Sequence, residues 1–325
     1  MKYANIGGLV AAGSLVLLVS TPIIGYSAGV EPGARLFVTK CFPAHGNLSL
    51  EDFRELRDAG FSVAVDSWQP DLPAFCSRAA QMGLDVMTWN GGLPPSPGPQ
   101  EQWVAPSGKT VGYARPCSPY SWQKIGDELV RQAALSVAHP NFKGAALDFE
   151  LYDENSGEVP GFSASYDEET FTNFLGFKGL DRPDSVSAPG DRHAFLKKRE
   201  LATEYVQYSA SLLLEEARKV RKRIDAVNPG FQVGVYGWGV FQVTALKGLS
   251  SLQSPSLFMD AETYGRTSYD GKFPGGYDPD EPDRRGLRHN LIGNYLRAKA
   301  AREMDFPVIS LSGHYPQASG PADGA

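Results

Sequence analysis

The 325-residue chain is poor in cysteine, and this excludes folds that depend on cross-links. Its three cysteines, Cys41, Cys76 and Cys117, are too few for a disulfide scaffold. Their spacing matches neither a zinc ribbon nor a Cys-x-x-Cys redox pair. An oxidising compartment would allow a bridge between Cys41 and Cys117, with one cysteine left over. The fold must therefore be held together by its hydrophobic core.

The chain also lacks clustered positive charge. It has 31 Lys and Arg residues against 37 Asp and Glu residues, which gives a net charge of -6. No run of Lys and Arg is long enough to neutralise a track of phosphates, so we expect no nucleic-acid partner. Neutral polymers and small molecules fit this charge balance better.

Motifs of several large enzyme classes are missing as well. No G-x-G-x-x-G follows the first predicted strand, and the five histidines form no H-E-x-x-H pattern. The G-x-S-x-G elbow of serine hydrolases is absent, and the acidic segment 278–283 lacks the spacing of a calcium loop. We therefore expect no cofactor and no metal. These absences leave carboxylate chemistry.

Only the first residues are apolar over a length that approaches a membrane span. Residues 1–28 have an early lysine, an apolar stretch over 6–24 and a small-residue end, which is the order of a secretory signal peptide. An uncleaved membrane anchor is the alternative. We expect a secreted or periplasmic protein that has no stable membrane span once the signal is removed. Residues 29–325 are then expected to form a single domain.

Short apolar runs alternate with amphipathic helical stretches along those residues. Seven strands are predicted, at 36–39, 61–66, 84–89, 144–150, 231–236, 257–262 and 308–312. Long loops are predicted at 91–119, 151–190 and 263–288, and the longest helix at 192–227. This α/β alternation favours a (β/α)8 TIM-type barrel. An eighth strand–helix unit is missing, so either the chain is cut short, which we favour, or the barrel closes irregularly.

Acidic residues lie at the ends of two predicted strands. Side chains alternate along a strand, so Asp148 and Glu150 share one face of the fourth strand. On the sixth strand Asp260 and Glu262 share a face with Phe258. In parallel barrels the carboxyl ends of the strands form the active end, here called the barrel mouth. We therefore expect four acids at the mouth as catalytic candidates, because glycosidases need one protonated and one ionised carboxyl group.

Other strand ends carry aromatic and hydrogen-bonding residues. Aromatic rings can stack on sugar rings, while Asn, Arg and His can bond to sugar hydroxyls. The residues that we expect to contact substrate are Asp66, Trp68, Trp89, Asn90, Tyr152, Tyr236, Trp238, Tyr264, Arg266 and His314.

The stretch 144–152 resembles the fourth strand of glycoside-hydrolase (β/α)8 barrels, and it is similar to the D-x-x-D-x-D-x-E strand of family 18 chitinases. Asp148 and Glu150 match the last Asp and the Glu of that motif, whereas Lys143 and Ala146 replace its first two acids. The resemblance implies that Glu150 is the proton donor and Asp148 its electrostatic partner. A second resemblance, to barrel glycosidases with an Asp nucleophile on the fourth strand and an Asp acid on the sixth, implies those roles for Asp148 and Asp260.

The function that these features favour is an exported glycoside hydrolase acting on an oligo- or polysaccharide. A non-catalytic carbohydrate-binding barrel is the main alternative, since the eighth unit is missing. A barrel that acts on a non-sugar substrate is a third hypothesis.

Overall fold

A closed barrel of seven parallel strands forms the centre of the fold. The computed structural model describes residues 38–40, 48–58, 60–67, 71–149, 162–260 and 295–313, with the backbone alone at 38–40, 66–67, 260 and 309–313. The barrel strands are β1 (Val38–Lys40), β2 (Val63–Ser67), β3 (Asp85–Gly91), β6 (Phe142–Asp148), β7 (Gln232–Tyr236), β8 (Leu257–Asp260) and β9 (Val308–Gly313). They pair in this order, and β9 pairs with β1. The predicted α/β barrel is confirmed, and the ring closes with seven strands.

Helices follow most of the barrel strands along the chain. They are α1 (Leu50–Asp58), α2 (Leu72–Gln81), α3 (Pro119–Ala138), α4 (Glu168–Phe177), α5 (Pro189–Lys198), α6 (Ala202–Asp225) and α7 (Val240–Leu249), with a further helical stretch over 295–303. In the described ranges no helix combines the length and the apolar character needed to cross a membrane.

The single long helix predicted at 192–227 is in fact two helices, α5 and α6. Glu200 has a φ of 60°, in the left-handed region. The N–H groups of Glu200 and Leu201 bond back to the carbonyls of Lys197 and Leu196. This is the Schellman pattern that ends helices, and it usually has glycine at the left-handed position. Because glutamate stands there, the sequence carried no stop signal.

Side chains point alternately to the two faces of each strand, and this produces two hydrophobic clusters. One, the barrel interior, contains strand residues alone: Val63, Val65, Met87, Trp89, Ala146, Tyr236, Leu257 and Met259. The other lies between strands and helices and includes Ala64, Val86, Ala145, Leu147, Val233, Val235 and Phe258. Strands covered on both faces are typical of parallel barrels, and they explain the nearly continuous apolar runs in the sequence.

Two connections predicted as loops contain regular structure. Residues 92–118 include the antiparallel hairpin of β4 (Gln102–Val104) and β5 (Thr110–Ala114), and α4 lies within the predicted loop 151–190. Val104 joins the two connections, because its carbonyl accepts from Tyr166 N at 2.9 Å and its N–H donates to Ser165 Oγ at 3.1 Å. The two connections that follow β3 and β6 are thus bound to one another.

Candidate active site

Asp148 lies at the mouth end of β6, on the inner face of the barrel. It follows Ala146 of the barrel interior by two residues, and its half-buried carboxylate accepts a hydrogen bond from Trp89 Nε1 at 2.9 Å. In the strand register Asp148 stands opposite Gly91 of β3 and Tyr236 of β7. The residues on either side of it, Leu147 and Phe149, belong to the helix-facing cluster, as the alternation predicts.

Trp89 and Tyr236, two of the residues expected to bind substrate, lie beside Asp148 within the barrel. Their rings meet edge to face, with centroids 5.1 Å apart and planes at 62°. Trp89 is 7% exposed and Tyr236 is 3% exposed. A sugar ring can stack only on an accessible aromatic face, so the observed burial gives these rings a packing role against Asp148. The expected stacking surface is not found at these two residues.

Asn90 is directed away from the barrel interior, toward α3. Its side-chain amide exchanges two hydrogen bonds with the amide of Gln132, at 3.1 and 3.3 Å. Thr88, two residues earlier, also donates to Gln132, at 2.7 Å. Trp89 faces the barrel interior, so these two neighbouring candidates for substrate contact face opposite sides of β3.

The prediction that Phe258 shares the inward face of its strand is wrong. Its ring packs in the helix-facing cluster against Trp238, with centroids 5.0 Å apart, while Leu257 and Met259 face the barrel interior. Trp238, which was expected to contact substrate, therefore contributes to the outer packing. Asp260 follows Phe258 by two residues, and its own side chain lies outside the described part of the chain.

Several candidates cannot be placed. The side chains of Asp66 and Asp260 lie outside the described part of the chain, as do the residues Trp68, Glu150, Tyr152, Glu262, Tyr264, Arg266 and His314. Among the side chains that the structure does describe on the inner faces of the strands, Asp148 is the carboxylate at the mouth.

Gly92, which the sequence analysis did not single out, holds the end of β6 in place. Its N–H donates to the Asp148 carbonyl at 2.6 Å. A Cβ at this position would lie 2.2 Å from Cδ1 of Phe149 and 2.6 Å from the same carbonyl oxygen, so no larger residue fits without a shift. Phe149 in turn stacks on Phe162 at 3.9 Å. The backbone at Asp148 is therefore held by the hydrogen bond from Gly92 and by the packing of the Phe149 ring.

A buried ionic cluster ties the connection after β3 to the one after β6. Arg115 contacts Asp167 at 2.8 Å, Glu101 at 3.2 Å and Glu169 at 2.8 Å. Arg115 is 4% exposed and Asp167 is 5% exposed. Burial alone would lower the pKa of Arg115, but the carboxylates of Asp167 and Glu101 outweigh burial and raise it. The guanidinium thus stays charged within this cluster.

Cys117 lies close to the ionic cluster as a free, buried thiol. Cys41, the other cysteine of the bridge considered above, lies outside the described residues. The Cys117 sulfur is 3.9 Å from the Thr170 hydroxyl. Burial, reinforced by the nearby negative charge of Asp167, raises the pKa of Cys117 to about 12. The thiol is thus protonated at neutral pH, and a protonated thiol is a poor nucleophile.

No protein-family model matches the chain. No curated protein matches it either. The chain does match solved structures of glycoside hydrolases. A β-galactosidase from the psychrophilic Marinomonas ef1 is 12% identical with a TM-score of 0.49, over 70% of this chain and 41% of that one. A β-galactosidase from Bacillus circulans sp. alkalophilus is 13% identical with a TM-score of 0.48, over 72% and 41%.

The glycoside hydrolase domain of PelA from Pseudomonas aeruginosa is 10% identical, with a TM-score of 0.39, over 86% of this chain and 84% of that domain. By contrast, the chain spans only about two fifths of the length of each of the two β-galactosidases. At identities of 10–13% the likeness concerns the fold alone.

Proposed function

We propose that the protein is a glycoside hydrolase that cleaves a glycosidic bond of an oligo- or polysaccharide. One observation carries the proposal: Asp148 presents a half-buried carboxylate on the inner face of β6, at the mouth end, and an indole N–H holds it. Active sites of parallel α/β barrels are built at this end of the strands. A carboxylate fixed there is what glycosidic bond cleavage requires as nucleophile, base or electrostatic partner.

Hydrolysis needs a second carboxyl group, and we assign it to Glu150. Glu150 follows Asp148 by two residues and so has the same parity in the sequence. The competing assignment has Asp260 of the sixth predicted strand as the acid. In this scheme Glu150 protonates the leaving oxygen as the glycosidic C–O bond breaks, and Asp148 stabilises the positive charge that develops on the sugar. Water then bonds to the anomeric carbon and gives a proton back to Glu150.

The test of this proposal is a turnover assay on a panel of aryl glycosides and polysaccharides with the wild type and Glu150→Gln. Loss of a general acid typically lowers the rate about 10²- to 10⁴-fold, and we expect a loss in that range. Glu51→Gln, which alters an exposed glutamate on α1, is the matched control and should hydrolyse like the wild type. Unchanged turnover in Glu150→Gln would refute the assignment. Binding of oligosaccharides without turnover over days would instead favour a non-catalytic carbohydrate-binding barrel.

We also propose that the protein acts outside the cytoplasm. The support is the composition of residues 1–28, whose lysine, apolar stretch and small-residue end follow the order of a signal peptide. N-terminal sequencing of the protein from medium or periplasm is expected to start at about residue 29, as the cleavage pattern predicts. Recovery of the intact chain from the cytoplasm would contradict this.

A further inference from the structure

We propose that Trp89 is a positioning residue, whose indole N–H orients the Asp148 carboxylate for the reaction. The inference rests on the proposed function, and it replaces the substrate-stacking role that the sequence suggested for Trp89.

The contact is direct and shielded. Trp89 Nε1 lies 2.9 Å from Asp148 Oδ2, and Trp89 is 7% exposed. Hydrogen bonds to a charged acceptor are about twice as strong as neutral ones, and exclusion from water strengthens them further. An indole N–H can only donate, so it favours the ionised carboxylate over the protonated acid.

The donor is itself held in position by Tyr236. The two rings meet edge to face, and Tyr236 is the register partner of Asp148 on the neighbouring strand. Because both rings lie in the closely packed barrel interior, the indole cannot turn away without displacing its neighbours. Three adjacent strands, β3, β6 and β7, thereby contribute to the orientation of one carboxylate.

Trp89→Phe removes the donor and retains an aromatic ring. We expect kcat to fall about ten- to hundredfold, which is the effect of one hydrogen bond to a charged group, with KM changed less than about threefold. The acid limb of the pH profile of kcat should also move to higher pH, because the ionised carboxylate loses a donor. A merely structural role would not move this limb.

Trp103→Phe is the matched control. Trp103 is also buried, and its indole N–H donates to the Ala164 carbonyl at 3.4 Å in the loop region. This variant should lose some thermal stability and keep the wild-type kcat and pH profile. An equal loss of kcat in both variants would overturn the proposal, since the effect would then reflect general loosening.

A second measurement does not depend on activity or on the folding of Trp89→Phe. The indole N–H resonance of Trp89 can be assigned in ¹H–¹⁵N spectra through its contacts to the Tyr236 ring, whose centroid lies 5.1 Å away. We expect it to shift in Asp148→Asn and to stay in place in Asp85→Asn. If the chemical shift of the Trp89 indole N–H were the same in Asp148→Asn as in the wild type, the proposal would be overturned even for an active enzyme.

The outcomes separate the two proposals. Normal hydrolysis by Trp89→Phe, with the indole resonance responding to Asp148→Asn, would reduce Trp89 to a structural residue and leave the proposed function standing. Absence of turnover by the wild type would remove the proposed function, and the positioning role would fall with it.

Discussion

Asp148→Asn is expected to lower kcat/KM for a hydrolysed glycoside by about 10³-fold or more, within or above the range found for loss of an acid–base group. An amide has nearly the shape of the carboxylate and can still accept from Trp89 Nε1, so the packing around the site should be preserved. The negative charge that stabilises the developing cationic sugar is lost. We expect the free energy of unfolding to change by less than about 1 kcal/mol, because the substitution keeps the side-chain volume and creates no cavity.

Asp85→Asn is the control for this substitution. Asp85 begins β3, whereas Gly91, the register partner of Asp148, ends it. At about 3.3 Å per residue the two ends are roughly 20 Å apart. Asp85 pairs with Lys143 at 3.6 Å near the surface, and such pairs contribute little stability. Kinetic parameters should therefore match the wild type. Loss of an acid–base group leaves about a hundredth of the wild-type activity or less. If Asp148→Asn retained more than about a tenth of the wild-type kcat/KM, Asp148 could not have the proposed role.

Asp167→Ala is expected to destabilise the protein by about 3–5 kcal/mol, the usual cost of removing one partner from a buried ion pair. Its carboxylate contacts Arg115 at 2.8 Å, with both side chains almost fully buried. It also accepts from Thr170 N at 2.9 Å as the N-cap of α4, and the loss of a cap costs about 1 kcal/mol. In the alanine variant the buried guanidinium of Arg115 has lost the buried carboxylate that balances its charge. Chemical denaturation measures the change in the free energy of unfolding.

Glu169→Ala is the matched comparison, because Glu169 contacts the same guanidinium from a side chain that is 67% exposed. Exposed pairs contribute about 0–1 kcal/mol, so this variant should unfold almost like the wild type. The double variant Arg115→Met, Asp167→Leu removes the buried ion pair and should recover part of the lost stability, while the N-cap bond to Thr170 N stays lost. A cost below about 1 kcal/mol for Asp167→Ala would contradict the proposed role of the pair, since exposed pairs lie in that range.

The position of Asp148 could be predicted because β6 alternates without ambiguity at its end. Leu147 and Phe149 are large and apolar and pack on the helix side, which leaves Ala146 and Asp148 for the barrel interior. Where polarity changes within an apolar strand, the face of the polar residue follows from its parity. The same reasoning would have separated Asn90 from Trp89 had it been applied to β3, because adjacent residues cannot share a face.

The same rule failed at β8, because Leu257, Phe258 and Met259 are all apolar. Their alternation does not tell which face looks inward. Packing decides it: the Phe258 ring fills space beside Trp238, and Met259 lies over Gly234, where a Cβ would come within 2.4 Å of its sulfur. A glycine on the neighbouring strand thus provides the room that lets methionine face inward, and this requires knowledge of the register.

The sequence by itself determined the alternating α/β class, the parity of Asp148 and the lack of familiar cofactor and metal motifs. Each of these follows from local order, since strand parity and helix periodicity repeat over a few residues. Only the tertiary structure decided that β9 pairs with β1 in a ring of seven strands. It also decided that Trp89 meets Asp148 across 59 residues and that Arg115 meets Asp167 across 52. Contacts at such separations depend on register and on the volumes of neighbouring side chains, which the linear pattern does not contain.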